Sequence, residues 1–195
     1  KPLIAVHHIR GHIMANLIAH KELEPPFLCL VASGGHSHIV HVKSYTDFSV
    51  LGRTCDDAAG EAYDKVARVL GLGYPGGPLI DKLAKEGDPA AVQCPRVRMA
   101  NPLDFSFSGV KTAVINHLHK LEQKGEAYNK ADIAASFQAA VVDVLCSHAV
   151  QAALEAGADK CALAGGVAAN SALRAQMERV CGEHGISFYV PPMAL

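Results

Sequence analysis

The sequence predicts an α/β fold in which helices flank a mixed sheet, and three observations carry this prediction. A near-continuous apolar run over residues 27–32, typical of a buried strand, precedes two strand-like segments over 37–43 and 48–53, as in a meander. Long helical patterns over 108–124 and 130–156 follow. The chain then shows a strand–helix–strand pattern, which ends in a strand over 186–190. Because a meander and a crossover unit occur together, a purely doubly wound sheet is excluded.

The remaining elements complete the pattern. An apolar stripe predicts a helix over residues 7–22, after a short strand over 1–6, and a second stripe predicts a helix over 57–70. A loop rich in glycine and proline over 71–78 leads into a short helix over 79–86. The last strand–helix–strand unit consists of residues 160–164, 170–184 and 186–190. By analogy, this order is typical of the ribonuclease-H-like lobe of actin-like ATPases and sugar kinases.

Composition narrows the classes of function. The chain has 195 residues, of which 50% are hydrophobic, and a formal net charge of −1. A protein that binds nucleic acid by charge alone is usually basic, so any RNA contact must be local or supplied by a partner. No apolar run appears long enough to span a bilayer. The six cysteines form no Cys-x-x-Cys pair, so we expect a reduced, cytoplasmic protein with structural thiols and no cysteine zinc site.

Two histidines form the first candidate site. His8 and His12 are four residues apart, so on a helix their rings project from one face and can hold one divalent metal. The zinc-protease signature requires a glutamate directly after the first histidine, and Ile9 occupies that position. The alternative is an ordinary pair of histidines on a helix face. A third ligand would have to come from elsewhere in the protein.

Three glycine-rich turns form the second set of candidates. They are Ser33-Gly34-Gly35 after the apolar strand, Gly76-Gly77 between two prolines, and Gly165-Gly166 before Asn170. Glycine lets a ligand approach the backbone closely, and amides at a helix N-terminus can bind phosphate oxygens. Each turn also has an ordinary explanation, because hairpins and helix starts use the same residues and Asn170 is a good N-cap.

Charged residues near two helix starts are the third set. Asp57, Glu61, Asp64 and Lys65 share one face of the predicted helix, and Asp64 is placed to hold a ribose hydroxyl or a metal-bound group. A solvated helix face explains the same residues. Further on, Lys111 follows an unusual Asp-Phe-Ser-Phe-Ser-Gly segment and could face phosphate or RNA.

The order of these motifs resembles one family across the whole chain. The motifs are His-His-Ile-Arg-Gly-His, Ser-Gly-Gly-His, Asp-Asp-Ala-Ala-Gly-Glu-Ala-Tyr-Asp-Lys, Tyr-Pro-Gly-Gly-Pro, Asp-Phe-Ser-Phe-Ser-Gly and Ala-Gly-Gly-Val-Ala-Ala-Asn. Together they resemble the bacterial branch of the catalytic subunit of the tRNA threonylcarbamoyladenosine system, formerly described as a glycoprotein endopeptidase. The resemblance implies a two-lobed actin-like fold. It also implies transfer of a threonylcarbamoyl group from threonylcarbamoyl-AMP to N6 of the adenosine beside the anticodon, in tRNAs that read codons starting with A.

The resemblance also implies roles for particular residues. It makes His8 and His12 ligands of one divalent metal, iron or alternatively zinc, and it names no catalytic side chain. Its substrate-binding positions, for threonylcarbamoyl-AMP or an ATP-type nucleotide, are Val31, Ala32, Ser33, Gly34, Gly35, Asp64, Gly77, Asp81 and Asn170. The implied partners are tRNA, an actin-like paralogue and a small P-loop ATPase.

Both ends of the chain suggest a piece of a longer protein. The resemblance assigns residues 1–24 to a remnant of the first lobe, with the metal-binding helix, and residues 25–195 to a second lobe that is incomplete at its C-terminus. It places the third metal ligand, an aspartate, beyond Leu195. We therefore expect this chain alone to be inactive and to self-associate through apolar surface. The alternative activities are a metalloendopeptidase and an actin-like ATPase or phosphotransferase.

Overall fold

The computed structural model describes residues 3 and 5–192 and contains a five-stranded sheet in the order β3-β2-β1-β4-β5. The strands are β1 (Phe27–Ala32), β2 (Ser37–Val42), β3 (Phe48–Arg53), β4 (Lys160–Ala164) and β5 (Ser187–Tyr189). The helices are α1 (His8–Ala19), α2 (Ala59–Val69), α3 (Gly76–Ala84), α4 (Ser108–Lys124), α5 (Lys130–Glu155) and α6 (Ser171–Glu183). A short 3₁₀ helix, Gly166–Ala169, follows β4.

The sheet is mixed, as predicted. Strand β1 pairs antiparallel with β2 on one side and parallel with β4 on the other, and β5 extends the parallel half. The meander and the crossover unit therefore share β1 as their common strand. A strand predicted over residues 1–6 falls partly on residues 1, 2 and 4, which lie outside the described residues, while Leu3, Ala5 and Val6 are not in a strand.

Strand β1 is fully buried because both faces of the sheet are covered. Leu28 and Leu30 belong to the larger core, which includes α2, α4, α5 and α6, whereas Cys29 and Val31 pack with Ile13 of α1 on the opposite face. Successive side chains of a strand point to opposite faces, so a strand covered on both sides needs apolar residues throughout. This explains the unbroken apolar run in the sequence.

Helix α5 supports one face of the sheet through most of its length. Residues 130–155 form a helix long and apolar enough to cross a membrane, which corrects the expectation that the sequence holds no such run, but 78% of its apolar window is buried inside the protein. A core helix has the same composition, and this burial is consistent with a soluble protein. All six cysteines are free thiols, and five of them are buried.

The start of α3 differs from the prediction. The helix begins at Gly76 rather than at residue 79, because Pro75 takes the N-cap position and Pro78 fits within the first helical turn. Gly76 also packs tightly, since a Cβ atom there would lie 2.6 Å from Cβ of Ala67 and 2.7 Å from Cα of Asp64. The predicted loop is therefore shorter, and its two glycines open the helix.

We predict that Gly76→Ala destabilises the fold by about 1–3 kcal/mol, because the added methyl group overlaps backbone and core atoms of α2. Urea denaturation measures the change in the free energy of unfolding. Gly77→Ala is the matched control, since no atom lies within 4 Å of a Cβ at this position. It should be neutral or slightly stabilising, because alanine favours a helix over glycine. Equal losses in the two variants would contradict the packing explanation.

Candidate functional site

A cavity of about 400 Å³ opens where β1 and β4 end, between these strands and helices α2 and α3. Five of the predicted substrate-binding residues line it: Gly34, Asp64, Gly77, Asp81 and Asn170. Ligands of open α/β sheets bind in this position, outside the carboxyl ends of the strands. Residues from sequence positions 34 to 170 thus meet in one place.

The turn between β1 and β2 borders the cavity through Gly34, whereas the predicted residue Ser33 holds the turn together without lining the cavity. The amide of Ser33 donates to the carbonyl of His36 at 2.7 Å, and the amide of His36 donates to Oγ of Ser33 at 3.1 Å. A Cβ atom on Gly34 or Gly35 would meet nothing within 4 Å, so protein packing does not explain these glycines, and space beside the backbone stays open. We call residues 33–36 the β1–β2 turn.

Other predicted residues of this stretch have different positions. Val31 and Ala32 are fully buried within β1, so their side chains belong to the core rather than to the cavity. Gly35 is exposed in the turn but does not line the cavity. Any contact of Val31 or Ala32 with a ligand would therefore involve the backbone alone.

The two predicted carboxylates are anchored to helix ends. Oδ1 of Asp64 accepts a hydrogen bond from the amide of Gly76 at 2.7 Å, at the start of α3. The carboxylate of Asp81 accepts bonds from Oγ and the amide of Ser171, at 2.9 and 3.2 Å, at the start of α6. These bonds satisfy free helix amides and fix both carboxylates beside the cavity.

A buried polar network supports Asn170. Its Oδ1 accepts from the amide of Leu173 at 2.8 Å as a helix cap, and its Nδ2 donates to Oε1 of Gln138 at 2.7 Å. The hydroxyl of Tyr63, whose pKa is raised by burial, lies 3.4 Å from the same Nδ2. Sequence reasoning missed Tyr63 and Gln138. A signal existed for Gln138, since a glutamine inside an apolar helix pattern needs a buried polar partner.

The acidic start of α2 forms ion pairs rather than a ligand site. Lys65 and Lys111 donate to opposite oxygens of Asp57, at 2.9 and 2.7 Å. Burial by itself would raise the pKa of Asp57, but the hydrogen bonds from Lys111 and Lys65 outweigh it and lower that pKa. Lys111 thus pairs with Asp57 within the described residues. Asp56 caps α4, because its Oδ1 accepts from the amide of Phe107 at 2.9 Å.

The histidine pair lies on the other side of the β1–β2 turn. Nε2 of His8 and Nε2 of His12 are 3.2 Å apart on α1, and the ring centroid of His36 lies 6.2 Å from that of His8. Burial, followed by the charges of His8 and His36, lowers the pKa of His12. The neutral form, which is the form that binds metals, is therefore favoured.

The geometry of the pair fits one metal ion. Two nitrogens bound to one ion at about 2.0–2.1 Å are roughly 2.8–3.4 Å apart at octahedral to tetrahedral angles, a range that includes the observed separation. Within residues 3 and 5–192, no histidine, cysteine, aspartate or glutamate joins the pair to make a group of three. The described residues thus provide two ligands.

The sheet order and the position of the cavity define the actin-like class of nucleotide-binding folds. Solved structures agree at the level of fold: full-length HypF in a phosphate- and nucleotide-bound form has a TM-score of 0.75 at 14% identity, over 97% of this chain and 40% of that one. The activator of 2-hydroxyisocaproyl-CoA dehydratase from Clostridium difficile, with bound ADPNP, has a TM-score of 0.53 at 15% identity, over 94% and 59%.

Within that class, the chain belongs to the tRNA N6-adenosine threonylcarbamoyltransferase (TsaD) family, whose model matches residues 1–195. A curated family member from Clostridium botulinum is 59% identical over 100% of this chain and 58% of its own length. One from Clostridium perfringens is 59% identical over 98% of this chain and 57% of its own length. The chain thus spans somewhat more than half the length of these relatives. The family resemblance predicted from the motifs is confirmed.

We predict that Asp57 makes folding stability depend on pH in the acid range. A lowered folded pKa means that its stabilisation is complete above the unfolded value of about 3.9 and is lost as the pH falls through the folded value. The difference in unfolding free energy between the unmodified chain and Asp57→Asn should therefore be largest near neutral pH. It should narrow as the pH falls below about 4.

Denaturation in urea at several pH values measures this narrowing. The difference in unfolding free energy between the unmodified chain and Lys111→Met, which removes one partner of Asp57, should narrow in the same way as the pH falls. The corresponding difference for Lys120→Met should not narrow, because this exposed lysine of α4 forms no ion pair among the described residues. A constant difference between the unmodified chain and Asp57→Asn from neutral to acid pH would contradict the ion-pair explanation.

Proposed function

We propose that the protein containing this chain transfers the threonylcarbamoyl group of threonylcarbamoyl-AMP to N6 of the adenosine beside the anticodon, in tRNAs that read codons starting with A. Family membership supports the transferase activity and the tRNA substrate. The observation that carries the proposal is the β1–β2 turn. Gly34 lines the cavity, while His36 of the same turn lies beside His8 of the histidine pair, so one ligand can reach both.

The nucleotide part of this substrate would occupy the cavity. The backbone amides of Gly34, Gly77 and Gly166, which line the cavity, suit its phosphate, because glycine turns and helix starts present backbone donors to an anion. Oδ2 of Asp64 has no hydrogen bond within the described residues and is available for a ribose hydroxyl. The HypF and activator structures, which hold bound nucleotides, support a nucleotide in the same fold.

The acyl part would lie at the histidine end. His8 and His12 would hold one divalent metal, iron in the first place and zinc as the alternative, which acts as a Lewis acid on the carbonyl oxygen when bound. The N6 amine would attack the carbonyl carbon, forming a C–N bond and releasing one N6 proton to solvent, while the C–O bond to the phosphate breaks and AMP leaves. Backbone amides of the turn would stabilise the phosphate as it departs.

The setting of this reaction is also a proposal. Residues 1–24 would belong to a first lobe and residues 25–195 to a second lobe, with the cavity between α2, α3 and β4 in the second. The enzyme would act in the cytoplasm with an actin-like paralogue and a small P-loop ATPase. A net charge of −1 fits a tRNA contact shared with such partners.

The two alternative activities lack comparable support. Ile9 follows His8 and is 9% exposed in the core against the sheet, so a metalloendopeptidase would have no general base at that position. An ATPase or phosphotransferase without tRNA would use the same cavity, but the family match and the named relatives favour acyl transfer.

The transfer reaction can be tested directly. The full-length protein containing this chain, with its partner subunits, should convert adenosine to threonylcarbamoyladenosine in unmodified tRNA supplied with threonylcarbamoyl-AMP. Asp64→Asn should lower the rate at least tenfold, because the carboxylate both accepts the Gly76 amide and faces the nucleotide. Mass spectrometry of digested tRNA measures the product. Cleavage of a peptide, or phosphate release without modified tRNA, would favour one of the alternatives.

Metal binding by the histidine pair can be tested separately in the same protein. His8→Ala and His12→Ala should each lower Fe²⁺ or Zn²⁺ affinity more than tenfold, because each removes one of the paired nitrogens. Elemental analysis after equilibrium dialysis gives the metal content. His119→Ala, an exposed histidine of α4, is the matched control and should bind as the unmodified protein does. Unchanged metal content in both pair variants would place the metal elsewhere.

A further inference from the structure

Two lysines at the C-terminal end of α3, Lys82 within the helix and Lys85 directly after it, line the cavity without a partner. Lys82 and Lys85 are three residues apart, so they lie on the same side of the helix, and both are exposed. Neither forms a hydrogen bond or an ion pair within the part of the chain that the structure describes. Among the described residues they are also the only cationic side chains that line this cavity.

The carboxylates of the cavity do not neutralise these lysines. Asp81 uses both oxygens for Ser171, and Asp64 directs Oδ1 to the amide of Gly76. The other ion pairs near α2 involve Lys65 and Lys111, which do not line the cavity. Lys82 and Lys85 therefore present two ammonium groups at the cavity that form no ion pair with Asp64 or Asp81 among the described residues.

The lysines lie at the C-terminal end of α3, whereas Gly77 at the start of this helix lines the cavity together with Gly34 of the β1–β2 turn. Lys85 also lines a second cavity of about 340 Å³, formed by α3, α5 and α6 and bordered by Gln138 and Ser171. No residue of the β1–β2 turn, of α2 or of the first turn of α3 borders that second cavity. Lys85 thus marks the side nearest α5 and α6, away from Gly34.

We infer that Lys82 and Lys85 hold the nucleoside part, rather than the phosphate, of an adenine nucleotide bound in this cavity. The inference rests on the proposed function, which puts the phosphate at the glycine turns. A nucleotide bound that way extends its base toward the lysines. Each stem can pack along the base while its ammonium group, which has donors only, binds ring-nitrogen or ribose-oxygen acceptors.

The test uses the full-length protein containing this chain and three probes: AMP, adenosine and inorganic phosphate. In Lys82→Ala/Lys85→Ala, affinity for AMP and for adenosine should fall about tenfold, since hydrogen bonds from two charged donors are removed. Affinity for inorganic phosphate should stay unchanged. Isothermal titration calorimetry measures all three. Both positions are exposed on a helix and alanine favours helices, so circular dichroism should show an intact fold.

Two further variants sharpen the result. Lys82→Arg/Lys85→Arg keeps the charge and the donors, so AMP affinity should stay within about threefold of the unmodified full-length protein. Lys120→Ala removes an exposed lysine of α4 that does not line the cavity, and it should bind all three probes normally.

The outcomes separate this inference from the proposed function. Unchanged AMP affinity in the double alanine variant would overturn the inference alone. An equal fall for AMP and inorganic phosphate would also overturn it, because the lysines would then be phosphate ligands. If the unmodified full-length protein bound neither AMP nor adenosine, the proposed nucleotide site itself would fail, and the inference with it.

Discussion

The amide of Gly60 donates to the carbonyl of Ser33 at 3.1 Å, and the position of the whole cavity follows from this contact. A Cβ atom on Gly60 would lie 2.7 Å from that carbonyl oxygen and 2.8 Å from Cα of Gly34, so only glycine allows α2 to start against the end of β1. Helix α2 then carries Asp64 to the start of α3. Asp81 of α3 in turn fixes the start of α6.

A similar close approach fixes the opposite wall. Gly165 has φ of +91°, and a Cβ atom there would lie 2.4 Å from the carbonyl oxygen of Ala32. The ends of the parallel neighbours β1 and β4 are therefore in contact through backbone alone. Gly60 and Gly165 both contact the carboxyl end of β1. They thus hold the start of α2 and the turn after β4 on opposite sides of the cavity.

The sequence predicted most of the fold because its strands and long helices have clear periods. Strand β1 and helix α4 match their predicted bounds, since the apolar run and the helix stripe have no competing explanation. The predicted start of α3, at residue 79 instead of Gly76, was too far along the chain, because glycine and proline usually indicate a loop. Here, however, the Asp64 carboxylate satisfies the first helical amide, a contact that the sequence alone does not reveal.

The candidate site was predicted unevenly for a related reason. Asp64, Asp81 and Asn170 were identified through family motifs, and all three line one cavity. Lys82 and Lys85 escaped notice, because two lysines on a short helix look like an ordinary solvated face until the cavity beside them is known. The ion pair of Lys111 was not predicted, because its partner Asp57 is 54 residues away in sequence.

The β1–β2 turn serves two neighbours at once, with Gly34 at the cavity and His36 beside the histidine pair. Its four residues are tied together by hydrogen bonds between Ser33 and His36, so a shift at one end moves the other. Under the proposed function, a nucleotide at one end and a metal at the other would be linked through this turn. If a bound nucleotide changes the affinity of the histidine end for its ligand by some factor, that ligand must change the affinity for the nucleotide by the same factor.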